Sequence, residues 1–414
     1  MLRMTFCALF LMTSSAFAQT RSLTLDESFQ LATQKNQSVA IQESTVVRAR
    51  ETKAQARGAV FPSLAAIGDY TRQDIKNLPA TSTIKEDSTS ARLHLNQSLF
   101  RGFSEYAAMR SASSLVEQEE FNLKDSKNNL YVTVARSFYQ LLIYKSEDEK
   151  LKKLLELTDR RVGELRKRTS VGRTRRGDLL TAQSQAASLK SQIAANTTLL
   201  QQSQAQFEAL TNVSSPSLVD NLSLPEQMPP LTQYISKIED RPDIASSAIQ
   251  AKRADENVAI SKGGHWPRLD LSGNYYLKRT GSLEDVKWDA GLTLTVPLFE
   301  GGITQSQVRE ASQLYYESQK TLELNRESAS VELKQLHSTA AQGLEQIKSL
   351  KEAVELAEAN YREQSKDYRY GLTTNLEVFQ SLNSYVDLER NLDKTIYQTK
   401  IAIVQLKAAS GVVQ

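Results

Sequence analysis

What most constrains this chain is where proline is missing. The nine prolines stand at 62, 79, 216, 225, 229, 230, 242, 267 and 297, and none interrupts 80–215 or 298–414. Proline inside a helix removes a hydrogen bond and clashes with the preceding turn. Two proline-free stretches rich in Ala, Leu, Glu, Gln, Lys and Ser can therefore hold helices much longer than the roughly 12 residues of an ordinary globular helix. Within them apolar residues recur at intervals of three and four, as in Leu130, Val134, Phe138 and Leu141, and again in Leu344, Ile347, Val354, Ala357 and Tyr361. Charged residues fill the positions between, which is the pattern of a coiled-coil seam.

The chain also repeats itself. Asn36-Gln37-Ser38-Val39 and Phe61-Pro62-Ser63-Leu64 correspond to Arg241-Pro242-Asp243-Ile244 and Trp266-Pro267-Arg268-Leu269 at an offset of 205. Leu99-Phe100-Arg101-Gly102 and Val171-Gly172-Arg173-Thr174 correspond to Leu298-Phe299-Glu300-Gly301 and Tyr370-Gly371-Leu372-Thr373 at an offset of 199. The interval from the Leu-Phe-x-Gly motif to the later glycine is 73 residues in both halves. One inserted residue would rotate a helix seam by about 100°, so an ungapped match is what two equivalent helical hairpins should show. The six-residue difference between the offsets falls between the motif groups, where a surface loop tolerates it.

In that region the period changes to two. Leu269, Leu271, Tyr275 and Leu277 alternate with Asp270, Ser272, Asn274 and Lys278. After a turn expected at Gly281-Ser282, Trp288, Ala290, Leu292, Leu294 and Val296 alternate with Asp289, Gly291, Thr293 and Thr295. The first half carries a fainter copy, with Ala91, Leu93, Leu95 and Leu99 against Arg92, His94, Asn96 and Ser98. Strands of about ten residues with one apolar and one polar face suit a membrane barrel; a soluble hairpin packed on one face gives the same pattern. Four strands cannot enclose a lumen, whereas three copies would supply twelve.

The N-terminus reads as a secretory leader: Arg3, an apolar run from Phe6 to Met12, then small residues ending Ala16-Phe17-Ala18, with cleavage expected after Ala18. The run is far shorter than the ~20 residues of a spanning helix. Cys7, the one cysteine, lies inside the leader, which leaves the mature chain without thiol or disulfide chemistry. With 40% hydrophobic and 24% charged residues there is no stretch able to cross a bilayer as a helix, so any membrane contact would be through a barrel. A net charge of +3 with interleaved signs implies no nucleic-acid partner.

Helix lengths complete the expectation. Gly102 to about Thr169 would span roughly 100 Å at 1.5 Å per residue. The returning helices, Asp178 to about Asn212 and Glu377 to about Ala409, are half as long, and helices over Ser38–Val60 and Ile244–Lys262 would supply the missing height.

Over its mature length the chain resembles the TolC family of outer-membrane efflux proteins. The resemblance rests on Leu23-Thr24-Leu25-Asp26-Glu27-Ser28 with Leu31-Ala32, the paired Phe61-Pro62-Ser63-Leu64 and Trp266-Pro267-Arg268-Leu269, Pro297-Leu298-Phe299-Glu300-Gly301-Gly302, and the turns Val171-Gly172 to Asp178-Leu179-Leu180 and Tyr370-Gly371-Leu372-Thr373 to Glu377-Val378. It implies a mainly α fold with a small β part: duplicated long helical hairpins forming an α-barrel, and four strands per protomer forming a twelve-stranded β-barrel in a homotrimer. The expected organisation is a leader (1–18), a first repeat (19–212, β-hairpin about 62–100, tip near 172), a linker (213–240) and a second repeat (241–414, β-hairpin about 267–299, tip near 371). The implied role is an outer-membrane exit duct of a tripartite efflux or type I secretion system, seated in outer-membrane lipid. A periplasmic membrane-fusion adaptor and an inner-membrane pump are the implied partners.

By the same resemblance, Gly172, Arg173, Thr174, Arg175, Arg176, Gly371 and Leu372 are candidate docking tips. Asp178 matches a gate aspartate, Tyr368 the tyrosine that bonds to it across neighbouring helices, and Glu377 an acid ringing the entrance. Gln380 and Thr373 depart from the family's second acid and gating arginine, so the entrance should be held by fewer or different charge-assisted bonds. Arg166, Lys167, Arg168, Arg173, Arg175 and Arg176 make the first tip basic; this is either a solvated helix end or a means of selecting an adaptor or anionic cargo.

Enzymatic readings find little support. Gly172 and Gly177 have phosphate-loop spacing, but Asp178 stands where the lysine belongs. His94, His265 and His337 are scattered without a second ligand at metal spacing, and no Gly-x-Ser-x-Gly elbow occurs. No catalytic, metal or cofactor site is expected. The other reading, a periplasmic coiled-coil structural or adaptor protein, keeps the hairpins but has no need of four alternating strands.

Overall fold

The computed structural model describes residues 22–74, 86–214, 216–280 and 283–411. The leader expected at 1–18, with Cys7, and the turn expected at Gly281-Ser282 lie outside the described residues. In chain order the elements are β1 (Ser22–Leu23), α1 (Leu25–Lys35), α2 (Gln37–Gly58), β2 (Ser63–Arg72), β3 (Asp87–Arg101), α3 (Ser104–Ser170), α4 (Arg176–Thr211), β4 (Ser217–Leu218), α5 (Thr232–Ile235), α6 (Pro242–Lys262), β5 (Arg268–Arg279), β6 (Trp288–Thr295), α7 (Ile303–Tyr370) and α8 (Asn375–Ala409). The helices expected from proline spacing and periodicity are all present, with ends within two residues of their expected positions.

Local chemistry sets several of the starts. Before α1 a capping box forms: Thr24 Oγ1 accepts from the Glu27 N–H at 3.3 Å and the Glu27 carboxylate accepts from the Thr24 N–H at 2.8 Å. Asn36 accepts from the Val39 N–H at 3.1 Å to begin α2. Pro242, whose φ is preset, opens α6. Among the described residues no helix is long and apolar enough to cross a membrane.

The chain forms two compact units, each drawing on both halves of the sequence. One holds residues up to Lys35, Thr133–Pro225 and Gly343–Ile401; the other holds Asn36–Val132, Glu226–Gln342 and the chain from Ala402 onward. In the first, Leu151 and Leu154 of α3, Leu189 of α4 and Leu382 and Val386 of α8 form one core cluster; Val162, Leu165, Ala182 and Phe379 form another toward the turns. Glycine inside a helix costs about 1 kcal/mol relative to alanine, and Gly343 in the middle of α7 has a packing reason: a Cβ there would collide with the Thr399 side chain of α8. Charged pairs cross the same unit, with Arg390 Nε donating to Glu147 at 2.9 Å, Lys150 Nζ 2.7 Å from Asp393, and Lys400 Nζ 2.5 Å from Asp220. The parallel pair β1 and β4, with Leu23 fully buried, completes it.

The second unit carries an antiparallel sheet in the order β2-β3-β5-β6. Its register exposes the duplication. Ser63 pairs with Asn96 in the first hairpin and Arg268 with Thr295 in the second, so moving the first pair by 205 and 199 lands on the second. Cross-strand pairing puts Leu64, Leu93, Leu95, Tyr275, Trp288, Leu292 and Leu294 on one face, and each stays 36–69% exposed. The other face is polar and internally bonded: Arg92 to Asp69 at 2.8 Å, His94 to Asn274 at 2.9 Å, Asn274 to Asp289 at 2.8 Å. The second hairpin is shorter than the expected 267–299. β3 runs to Arg101 because its end pairs with β5, whereas among the described residues 296–300 have no strand beside them and β6 stops at Thr295. Helix packing in this unit centres on Ile238, Ile244, Ala329, Leu333 and Leu406.

Candidate functional site at the helical turns

The two helix-to-helix turns, 171–175 and 371–374, close on the same backbone motif. In the first, the Gly172 N–H donates to Thr169 O at 3.1 Å and the Arg173 N–H to Arg168 O at 2.8 Å. In the second, the Gly371 N–H donates to Tyr368 O at 3.2 Å and the Leu372 N–H to Asp367 O at 3.0 Å. Both glycines have left-handed φ, +71° and +76°, which a side chain would oppose. This is the Schellman ending, in which two otherwise unpaired carbonyls at a helix C-terminus are satisfied by the N–H groups just beyond it. Val171, Gly172, Arg173, Arg175, Arg176, Gly371 and Leu372 are exposed and Thr174 is half-buried.

The helices that follow begin differently. Thr374 and Glu377 form a capping box at α8: the Thr374 N–H donates to the Glu377 carboxylate at 2.8 Å, and Thr374 Oγ1 accepts from the Glu377 N–H at 3.3 Å. Thr373 also donates its hydroxyl to that carboxylate. The bond from Thr373, then those from Thr374, hold the Glu377 carboxyl below the usual carboxylate range. In the first turn Arg175 stands where Thr374 does, and α4 begins with no side-chain cap.

Of the expected gate residues, Glu377 and Thr373 are thus joined to each other. Gln380 is exposed one turn further along α8, and Asp178 is half-buried on the first turn of α4. Within the chain no hydrogen bond joins Tyr368 to Asp178 among the described residues. Tyr368 is engaged instead by Arg161 of α3, whose guanidinium carbon lies 3.8 Å from the ring centroid; Arg168 lies 5.2 Å away. Arg161 Nε also donates to Asn375 Oδ1 at 2.8 Å, and Nη1 to Glu164 at 3.2 Å. Its side chain is 18% exposed and Asn375 is buried. One cation therefore ties α3 to the last turn of α7 and the first residue of α8. The sequence reading missed Arg161. Its one cue was phase: it follows Leu154 and Thr158, and precedes Leu165, at seam spacing. The duplication gave no help, because Asn360 occupies the corresponding place.

A family model for the outer membrane efflux protein matches residues 29–213 and 236–412. The chain is 21% identical over 378 residues to the outer membrane protein TolC of Vibrio cholerae serotype O1, covering 87% of this chain and 84% of that one. Over 175 residues it is 26% identical to the proteases secretion protein PrtF of Dickeya chrysanthemi, 40% of this chain and 38% of that one. The outer membrane protein VceC of Vibrio cholerae superposes with a TM-score of 0.82 at 19% identity, covering 94% of this chain and 96% of the other, which is a likeness of fold.

Proposed function

The chain belongs to the outer membrane efflux protein family, and from that membership we propose that three copies assemble around one axis into an exit duct. Outer membrane is where such a protein resides, with most of its helical mass in the periplasm. In the proposed assembly the four-stranded sheets join into a twelve-stranded barrel whose apolar face meets lipid and whose polar face meets water. The hairpins continue that barrel as a helical tube, built from the sequential repeats 19–212 and 241–414 joined by 213–240.

The observation that carries this reading is the sheet. A single copy leaves large apolar side chains such as Trp288 and Leu292 more than 60% exposed, and it leaves both β2 and β6 with an open edge among the described residues. An exposed apolar face bounded by two open edges is an aggregation hazard in water. Closing the sheet against sister copies in a membrane removes both problems.

The turns are then the periplasmic entrance. Gly172, Arg173, Thr174, Arg175, Arg176, Gly371 and Leu372 dock an adaptor carried by an inner-membrane pump, and Asp178, Tyr368, Thr373, Glu377 and Gln380 belong to the gate. Transport is passive and the pump supplies the work. Fractionation tests the reading: the mature protein should sediment with outer membranes as a trimer that migrates differently before and after boiling. A soluble, elongated monomer would overturn it in favour of a periplasmic coiled-coil protein.

A further inference from the structure

The two turns share one backbone but not one charge. Residues 164–178 hold six cations, Arg166, Lys167, Arg168, Arg173, Arg175 and Arg176, against Glu164 and Asp178, a net of +4; the corresponding window 363–377 holds Lys366 and Arg369 against Glu363, Asp367 and Glu377, a net of −1. A helix end that merely needed solvation would not require this contrast. Elsewhere on the same hairpins cations sit beside acids, as Lys152 does with Asp148 and Arg362 with Glu358. At the first turn Arg168 faces Tyr368, while Arg166, Lys167, Arg173, Arg175 and Arg176 have no side-chain partner among the described residues.

The placement is also unfavourable within the chain itself. Arg175 and Arg176 stand at the start of α4, the positive end of that helix's dipole, where carboxylates are stabilising and cations are not. Like charges on neighbouring residues repel, and the repulsion is weakly screened within about 8 Å at physiological salt. The opposing turn shows the relief such a site accepts, since α8 begins with a carboxylate bonded into its first turn. The cations extend over the last turn of α3, the connecting turn and the first turn of α4. That array is too broad for one small anion and matches a surface bearing several carboxylates.

Resting on the reading of these turns as docking tips, we infer that the first turn is the electrostatic half of the docking surface and receives an acidic segment of a periplasmic partner protein. Shape at the second turn, where Leu372 is 76% exposed, supplies the rest of the contact. The partner is defined by its chemistry: an exposed run of Asp or Glu at the end that meets the duct.

A photo-reactive residue in place of Val171, which is 66% exposed, tests this in living cells. The expected adduct joins the duct to one periplasmic protein through a peptide of net negative charge. Replacing Arg173, Arg175 and Arg176 together with Glu should lower that adduct severalfold, and replacing them with Gln should lower it less. Reversing the acids of the captured peptide to Lys should restore it with the Glu variant. All variants should keep the boiling-sensitive trimer, which separates lost docking from lost folding. A neutral or basic captured peptide, or an adduct indifferent to charge reversal, sinks the inference while leaving docking intact. A trimeric duct that yields no periplasmic adduct from this position removes tip docking itself, and the inference with it.

Discussion

The internal duplication fixes how neighbouring copies should meet at the barrel, residue by residue. Inside one chain β3 of the first repeat pairs with β5 of the second, with Leu95 opposite Gly273, Gln97 opposite Leu271 and Phe100 opposite Leu269. Carrying β3 forward by 199 and β5 back by 205 turns these into Leu294 opposite Gly68, Val296 opposite Ala66 and Phe299 opposite Leu64, now between β6 of one copy and β2 of the next. The shift is reliable because it already converts the β2–β3 register into the observed β5–β6 register. The proposed pairing would also account for β6 having only 8 residues against 15 in β3. In the proposed trimer the stretch 296–300 would become strand beside a neighbour's β2, and Leu298 and Phe299, 92% and 90% exposed in a single copy, would gain cover worth roughly 1.5–3 kcal/mol each if fully buried.

Opposed residues of an antiparallel pair have Cα atoms about 4.5 or 5.5 Å apart, inside the roughly 4.4–6.8 Å window of a disulfide. With Cys7 replaced by Ser, the double variant Val296→Cys and Ala66→Cys should therefore oxidise into covalent trimers on a denaturing gel, reversibly with reductant. The companion Val296→Cys with Ile67→Cys should not, because a one-residue slip sends the side chain to the other face. Efficient linking of the second pair and none of the first would refute the duplicated register.

Three further outcomes follow from the helical unit. Arg161→Ala removes a charge-assisted hydrogen bond and a half-buried cation–π contact, together about 2–3 kcal/mol, and should raise the open fraction of the entrance about 30- to 150-fold in single-channel recordings. Arg160→Ala, at a side chain 67% exposed, should leave it unchanged, and equal behaviour of the two variants would remove Arg161 as a clasp. Gly343→Ala should destabilise the α7–α8 contact by about 1–3 kcal/mol through overpacking, read as a lower trimer melting temperature; an unchanged or higher one contradicts the close approach. The Glu377 carboxyl is held below its unfolded value, so its contribution is complete above the ordinary carboxylate pKa and is lost as pH falls through the depressed one. Protection against hydrogen exchange in the first turn of α8, taken relative to the intrinsic exchange rate at each pH, should fall on acidification in the native chain and lose that pH dependence in Glu377→Gln.

Long-range order was the legible part of this sequence. Proline spacing and a seam of Leu, Val and Ala marked every long helix, because a helix tens of residues long averages over local exceptions. Alternation marked the sheet, though 296–299 read as strand and is not one in a single copy, since a strand needs a neighbour and the sequence cannot say when the neighbour belongs to another chain. The pairs β1 and β4, two residues each, and the four-residue α5 carry no periodic signal and were not anticipated. At the tips, the glycines were readable from the turn they require. Thr374-Asn375-Leu376-Glu377 carries a capping-box signature, so the local bond of Glu377 is legible in the sequence beside the gate role that the resemblance implies. Arg161 looked like one more charge on a charged helix; its role depends on Tyr368 and Asn375, more than 200 residues away, and no local pattern encodes that.

The divergence of the two turns can be separated into what the backbone demands and what it leaves free. Gly172 and Gly371 are kept because two helices must reverse through the same left-handed turn, and Thr174 and Thr373 stand at the same step. Leu372 against Arg173, and Thr374 against Arg175, differ without altering either set of turn hydrogen bonds. Differences that leave the backbone of the turn unchanged are not demanded by the reversal of the chain. Indeed Arg175 forgoes a helix cap worth about 0.5–2 kcal/mol that Thr374 provides, so its presence works against the local stability of α4. A side chain that weakens its own helix at an exposed turn is best accounted for by what it meets outside the chain. Restoring the cap separates the two roles: Arg175→Thr should slow hydrogen exchange in the first turn of α4 while reducing the adduct formed from position 171. A variant that gains local stability with no loss of that adduct would leave the arginine without a purpose in docking.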